Sequence, residues 1–168
     1  ARVQKFLTPP VSFSPEQKRF FSLTTIAFSL CILVHLLYIP IFLWMELNVL
    51  TLHSIAAIPI WVIAMWVSRG GHISTAYSLA TLECCIFIIL VSFNIGWEIG
   101  AQYTIFAPAM MTFLFTFNRW VKMILAITMS LVVMLLYFFA ERVGWMGNPA
   151  TFNLLWIINV SLAFIGIF

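Results

Sequence analysis

The sequence predicts an all-α integral membrane bundle of six transmembrane helices, entered through a short N-terminal juxtamembrane helix. Three observations predict it. Apolar residues make up 64% of the chain and charged residues only 8%, whereas a soluble domain is about a quarter charged. The mean hydropathy is +1.10, and a water-soluble fold of that character would leave far too much apolar surface facing solvent. The few charges are also sorted by side, as they are in a chain that crosses a bilayer.

Residues 1–21 read as a cytoplasmic N-terminal segment and juxtamembrane helix. Its start is Ser14-Pro15-Glu16-Gln17, with Ser14 as N-cap, Pro15 at the first position and Gln17 three residues after the cap. Lys18, Arg19, Phe20 and Phe21 then suit a headgroup layer. Residues 22–168 form the transmembrane domain. Its spans fall near 22–45, 47–67, 73–95, 101–118, 121–140 and 151–168, close to the ~20 residues that about 30 Å of hydrocarbon requires. Short connections make consecutive helices antiparallel neighbours. Pro40, Pro59 and Pro108 each free a backbone carbonyl within a span and can kink it.

Orientation follows from the bases. Arg2, Lys5, Lys18, Arg19, Arg69, Arg119 and Lys122 occupy the N-terminus and the second and fourth connections. The other three connections hold only Arg142, with Glu46, Glu98 and Glu141. The positive-inside rule therefore sets both termini in the cytoplasm, and an odd number of spans would scatter the pattern. Trp44, Trp66, Trp97, Trp120 and Trp145 sit near span ends, as an aromatic belt does. There is no signal-peptide layout and no initiator Met, so the chain reads as a piece of a longer protein. It is expected to continue past Phe168 into a cytoplasmic output domain absent from this chain.

Polar residues at membrane depth are the candidates for function. Glu83 lies near the middle of span 3, where a lone carboxylate costs about 2.5–3.5 kcal/mol and calls for protonation, a partner or water. His35 lies about 15 Å below the outer end of span 1, and Glu83 about 18 Å below that of span 3. They can lock two helices together or share a ligand or a proton, and the residues leave both open. With His53 they supply metal-ligand types, so His35, His53 and Glu83 form the candidate metal set. His35 with His53 is the intramembrane pair for a bis-histidine haem. The spacing is no metal motif, and the cofactor stays unknown between haem, a transition metal and none. Cys31, Cys84 and Cys85 sit in apolar runs and read as small buried hydrophobes. The methionines read as packing, and His72 reads as solvated in a cytoplasmic turn.

The stretch Asn94-Ile95-Gly96-Trp97-Glu98-Ile99-Gly100-Ala101-Gln102-Tyr103 is the most unusual. Its glycines permit a tight outer turn. Trp97, Glu98, Gln102 and Tyr103 then bring a ring, a carboxylate, an amide and a phenol to one mouth, a fit for a small-ligand vestibule or for an anchoring interfacial hairpin.

These residues together resemble the six-helix membrane module that precedes the catalytic domain in many bacterial class III adenylate/guanylate cyclases. Related modules precede some diguanylate cyclase domains and are similar to the membrane part of certain quorum-sensing histidine kinases. The likeness is carried by His35, Asn48, Glu83 and the Gly96-Trp97-Glu98-x-Gly100-x-Gln102-Tyr103 turn. It runs through about residues 35–115 and is looser beyond. Two positions depart from it: Phe87 stands where relatives often have a second His, and Ala101 where a bulkier aromatic is usual. The resemblance implies a receptor-like sensor and dimerising domain in the bacterial inner (plasma) membrane. Its ligand site would use His35, Asn48, Glu83, Trp97, Gln102 and Tyr103, and its output domain would make cyclic AMP. The implied partners are the lipid bilayer, a second copy in a homodimer, and a small or lipophilic ligand.

Other classes fit less well. No basic cluster is interleaved with aromatics, so no nucleic acid is expected. A transporter lacks its inverted repeat and paired broken helices. No phosphate-binding glycine loop or paired catalytic carboxylates appear, and the chain contains no Asp, which class III cyclase catalysis needs. The chain is thus not itself an enzyme on this reading. The alternatives are a haem- or metal-binding domain for redox or gas sensing and a purely structural membrane anchor.

Overall fold

A computed structural model describes residues 8–96, 99–114, 118–139, 153 and 155–159, the side chains of 107, 111, 113 and 114 excepted. The helices are α1 (Pro15–Trp44), α2 (Asn48–Arg69), α3 (Ile73–Asn94), a 3-10 helix (Ala101–Ile105), α4 (Phe106–Leu114) and α5 (Arg119–Phe139). Residues 155–159 are helical too, and no strand occurs among the described residues. Among the described residues, four helices, α1, α2, α3 and α5, are long and apolar enough to cross a membrane. Their outer faces agree: Leu33, Leu52, Ile124 and Phe138 are each more than half exposed, which suits hydrocarbon and not water. Trp44, Trp66 and Trp120 stand exposed at helix ends, as an aromatic belt requires, whereas Trp97 and Trp145 lie outside the described residues. The chain divides into two compact units, Ala1–Ala80 and Thr81–Phe168.

In the first unit, the capping box at the start of α1 closes as its sequence predicts. The Gln17 amide donates to Ser14 Oγ at 3.2 Å, and the Ser14 amide donates to Gln17 Oε1 at 2.9 Å. The juxtamembrane helix and first span are one continuous helix of 30 residues, about 45 Å long. Phe20 and Phe21 turn their rings onto protein. Both are buried, Phe20 edge-on to Tyr77 at 6.2 Å and Phe21 edge-on to Phe13 at 5.9 Å.

The reason is a seam. Phe21, Thr24, Phe28, His35, Tyr38 and Phe42 recur on α1 at heptad spacing, and all are buried. Leu50, Ser54, Ala57, Trp61, Ala64 and Ser68 recur on α2 at the same spacing, also buried. One helix supplies mostly rings and the other mostly small side chains, so the backbones approach closely, as membrane helices do.

Two turns close the unit, and they share one geometry. At the end of α1, the Glu46 amide donates to Leu43 O and the Leu47 amide to Phe42 O. At the end of α2, Gly71 donates to Ser68 O and His72 to Val67 O. Both are Schellman motifs, whose penultimate residue must be left-handed. That residue is Glu46, at φ +57°, in one and Gly71, at φ +88°, in the other. His72 is exposed, as read.

In the second unit, the fourth predicted span is not one α-helix. Gly100, at φ +77°, opens the 3-10 helix, and the Phe106 amide donates to Tyr103 O. Pro108 has no amide hydrogen to give Thr104 O, so the α-helical ladder starts at Phe106 and sets Pro108 in the first turn, where that loss is harmless. The 3-10 helix and α4 together extend about 24 Å, short of the ~30 Å core. The side chain of Asn118 caps α5 by accepting from the Trp120 amide at 3.0 Å, and the Arg119 guanidinium lies 5.4 Å over the Trp120 ring. Leu125, Met129, Val132 and Leu136 form its buried stripe. Most of the sixth predicted span lies outside the described residues.

Candidate ligand-binding site

The α1–α2 seam brings two predicted residues together. The His35 and His53 rings meet edge to face with centroids 5.9 Å apart, His35 buried and His53 half-buried. Ser54, beside His53, is fully buried, and its hydroxyl has no hydrogen-bond partner among the described residues. Two turns along the same face, Trp61 packs its ring on Phe28 at 5.4 Å, and its Nε1–H is likewise unmet among the described residues. Unmet buried donors cost about 1–3 kcal/mol each, and Ser68 at the far end of the same face has an unmet hydroxyl among the described residues too. Tyr38, buried and stacked on Phe42 at 5.0 Å, closes the seam on the side of the α1–α2 turn. Asn48 is exposed at the first turn of α2, about 7.5 Å along the axis from His53, so the seam does not enclose it.

The metal reading gains an imidazole pair. Among the described residues, however, no three His, Cys, Asp or Glu side chains gather as a metal ion needs, and two ligands fall short of the three or four of a zinc site. Cys31, Cys84 and Cys85 form no disulfide among the described residues and are half-buried or buried, in line with their reading as packing.

Glu83 is buried on α3 and engaged with neighbouring groups.

The turn after α3 separates residues that the sequence puts at one mouth. In the 3-10 helix, Gln102 turns inward and is 7% exposed, with Oε1 unmet among the described residues. Tyr103 turns outward, 44% exposed, and stacks on Phe106 at 6.4 Å. Ala101 is fully buried. Trp97 and Glu98 lie outside the described residues.

Two residues that sequence reasoning missed hold this turn. Asn159, buried, donates from Nδ2 to Ile99 O at 3.3 Å. Trp156 lies so close to Gly100 that a Cβ there would meet its ring at 3.4 Å. The signal was present: Asn159 is an amide inside an apolar run, costly unless bonded. Beside the turn, Ile105, Phe106, Ala109, Met129, Met134 and Tyr137 line much of an open apolar groove of about 480 Å3, a volume within the range of small-molecule sites.

Each unit thus offers one feature that could receive a ligand: the His35–His53 contact near Ser54 in the first, and the apolar groove in the second. Comparison with family models, with curated proteins and with solved structures returns no match for this chain.

Proposed function

We propose that this chain is the six-helix membrane sensor and dimerising domain of a bacterial class III adenylate cyclase, set in the inner membrane with both termini cytoplasmic. The helices α1, α2, α3 and α5 are spans 1, 2, 3 and 5 of this reading; the 3-10 helix with α4, and residues 151–168, complete the six. One observation supports it: the Ser54 hydroxyl and the Trp61 Nε1–H, unmet among the described residues, are kept in the α1–α2 seam, where apolar residues would pack at no such cost. The resemblance on His35, Asn48, Glu83 and the Gly96–Tyr103 turn supplies the output. A ligand that binds two helix arrangements unequally shifts their populations, and with them the approach of two catalytic domains below.

The test uses the parent protein in membrane vesicles, with cyclic AMP formation from ATP as readout. The parent is expected to form cyclic AMP. His35→Phe, which fills the seam with a ring, and Ser54→Ala, which deletes the unmet hydroxyl, are each expected to change the rate by about fivefold or more, the lower end of ordinary coupling energies. A parent that forms no cyclic nucleotide overturns the reading, and rates unmoved by both variants leave a dimerising anchor.

The His35–His53 contact favours one second reading, a haem or transition-metal site. A visible-range spectrum and metal analysis of the purified chain decide it. A Soret band or bound metal that is lost in His35→Ala supports a cofactor, and a colourless, metal-free preparation removes it.

A further inference from the structure

The end of the first unit opposite the Glu46 turn carries a basic surface that the sensory reading does not use. Register across the seam places its members. Phe28 meets Trp61 and His35 meets His53, so eight residues further along the antiparallel pair Arg19 and Phe20 come level with Ser68 and Arg69. Lys18 and Arg19 on α1 therefore share a level with Arg69 on α2. Among the described residues, Glu16 is the one carboxylate at this end.

The surface is built as well as charged. The Arg69 guanidinium donates to Thr8 O at 3.0 Å, tying the segment before α1 across the end of α2. Phe13 follows in that segment, edge-on to Phe21 and over Gly71, while Phe20 packs on Tyr77. This aromatic layer fixes the helix ends that carry the cations, Arg19 exposed and Lys18 and Arg69 half-buried. Trp66, 69% exposed, stands about 4.5 Å nearer the hydrocarbon than Arg69. An indole above a row of cations is the arrangement that meets the boundary between acyl chain and phosphate.

We infer that this end of the first unit is a docking surface for the headgroup of an anionic phospholipid, with Lys18, Arg19 and Arg69 facing the phosphate layer and Trp66 at the acyl boundary. Charge complementarity selects the occupant. A zwitterionic headgroup offers a phosphate with its own ammonium, whereas an anionic one leaves a net charge for three cations to meet. The inference rests on the helices' crossing a bilayer and not on the cyclase reading.

The experiment places the purified chain in nanodiscs of equimolar phosphatidylglycerol and phosphatidylethanolamine and measures, by native mass spectrometry, which lipid stays bound as the disc is stripped. Phosphatidylglycerol is expected to be retained preferentially. Lys18→Gln and Arg19→Gln should each lower that preference about fivefold, the factor that one surface cation contributes. Glu46→Gln, at the other end, should leave it unchanged. Raising the salt to 0.5 M should weaken the preference in the unsubstituted chain, a readout that needs no variant to fold. Equal retention of the two lipids, or a preference indifferent to Lys18, Arg19 and salt, overturns the inference. Displacement by inorganic phosphate at matched concentration would also overturn it, by showing a site for the free ion. A chain that fails to enter the discs at all would instead sink the bilayer-crossing reading.

Discussion

The two turns of the first unit make the same bend with opposite chemistry. Both close a helix with a Schellman motif, both donate into the last turn from consecutive amides, and both hand the chain at once to the next helix. The α2–α3 turn sets glycine at the left-handed position, next to Arg69. The α1–α2 turn sets Glu46 there, with no base nearby in sequence. The backbone device is therefore indifferent to its residue in geometry but not in energy, and the side chains decide which surface each end of the unit presents. Gly71 makes its turn cheaply, whereas Glu46 makes the same turn at a conformational cost of roughly 1–2 kcal/mol.

The largest expected effect comes from removing that advantage. Gly71→Val sets a β-branched residue at φ +88°, a true outlier for such side chains. It should destabilise the chain by about 2 kcal/mol, read as loss of helical circular dichroism at lower denaturant in mixed micelles. A Cβ at Gly71 would meet Phe13 at an ordinary 3.8 Å, so the loss belongs to the backbone and not to a clash. An unchanged midpoint would mean that the turn relaxes freely, and the comparison between the turns would lose its basis.

The reverse change sharpens it. Glu46→Gly removes the left-handed cost but makes the unfolded chain more flexible, two terms of opposite sign. The first is the larger, and a net stabilisation of about 0.5–1 kcal/mol is expected in the same assay. Destabilisation would show that the Glu46 side chain makes a compensating interaction.

How much of this was legible before the structure varied with the kind of signal. Ser14 and Gln17 announce their cap because the bonds are local and their residue types are specific to it. Gly71 announces its turn for the same reason. Glu46 could not, because glutamate has no preference for left-handed backbone and the turn there is imposed by packing of α1 on α2. The membrane character was plain in the apolar runs, but those runs hid the seam. In a chain so apolar, a buried ring and a lipid-facing ring look alike, and only heptad spacing separates Phe21 from an interfacial ring. The break in the fourth predicted span was half legible: Gly100 and Pro108 punctuate it, yet hydropathy alone runs through both. Gln102 and Tyr103 are adjacent in sequence, which alone puts them at one mouth. A 3-10 helix turns neighbours about 120° apart, and that rotation sends one inward and the other out. Asn159, whose partner is a backbone carbonyl 60 residues away, had no local pattern to betray its contact.

The smallest expected effect isolates charge from conformation. Glu46→Gln keeps the length, the left-handed strain and the hydrogen bonds of the turn, and it removes only the negative charge. Glu46 is exposed, and surface changes of this kind stay within about 0.5 kcal/mol. Orientation should hold as well, since acidic residues contribute little to the positive-inside rule; accessibility of a cysteine placed at Met45 to an impermeant thiol reagent measures it. If stability and orientation are both unmoved, the acidic end of the unit is free of structural duty, and its carboxylate is available for whatever approaches the α1–α2 turn. If stability instead falls by more than about 1 kcal/mol, the charge itself holds the turn. The strain at Glu46 would then be compensated by electrostatics, and the two turns would differ in mechanism as well as in chemistry.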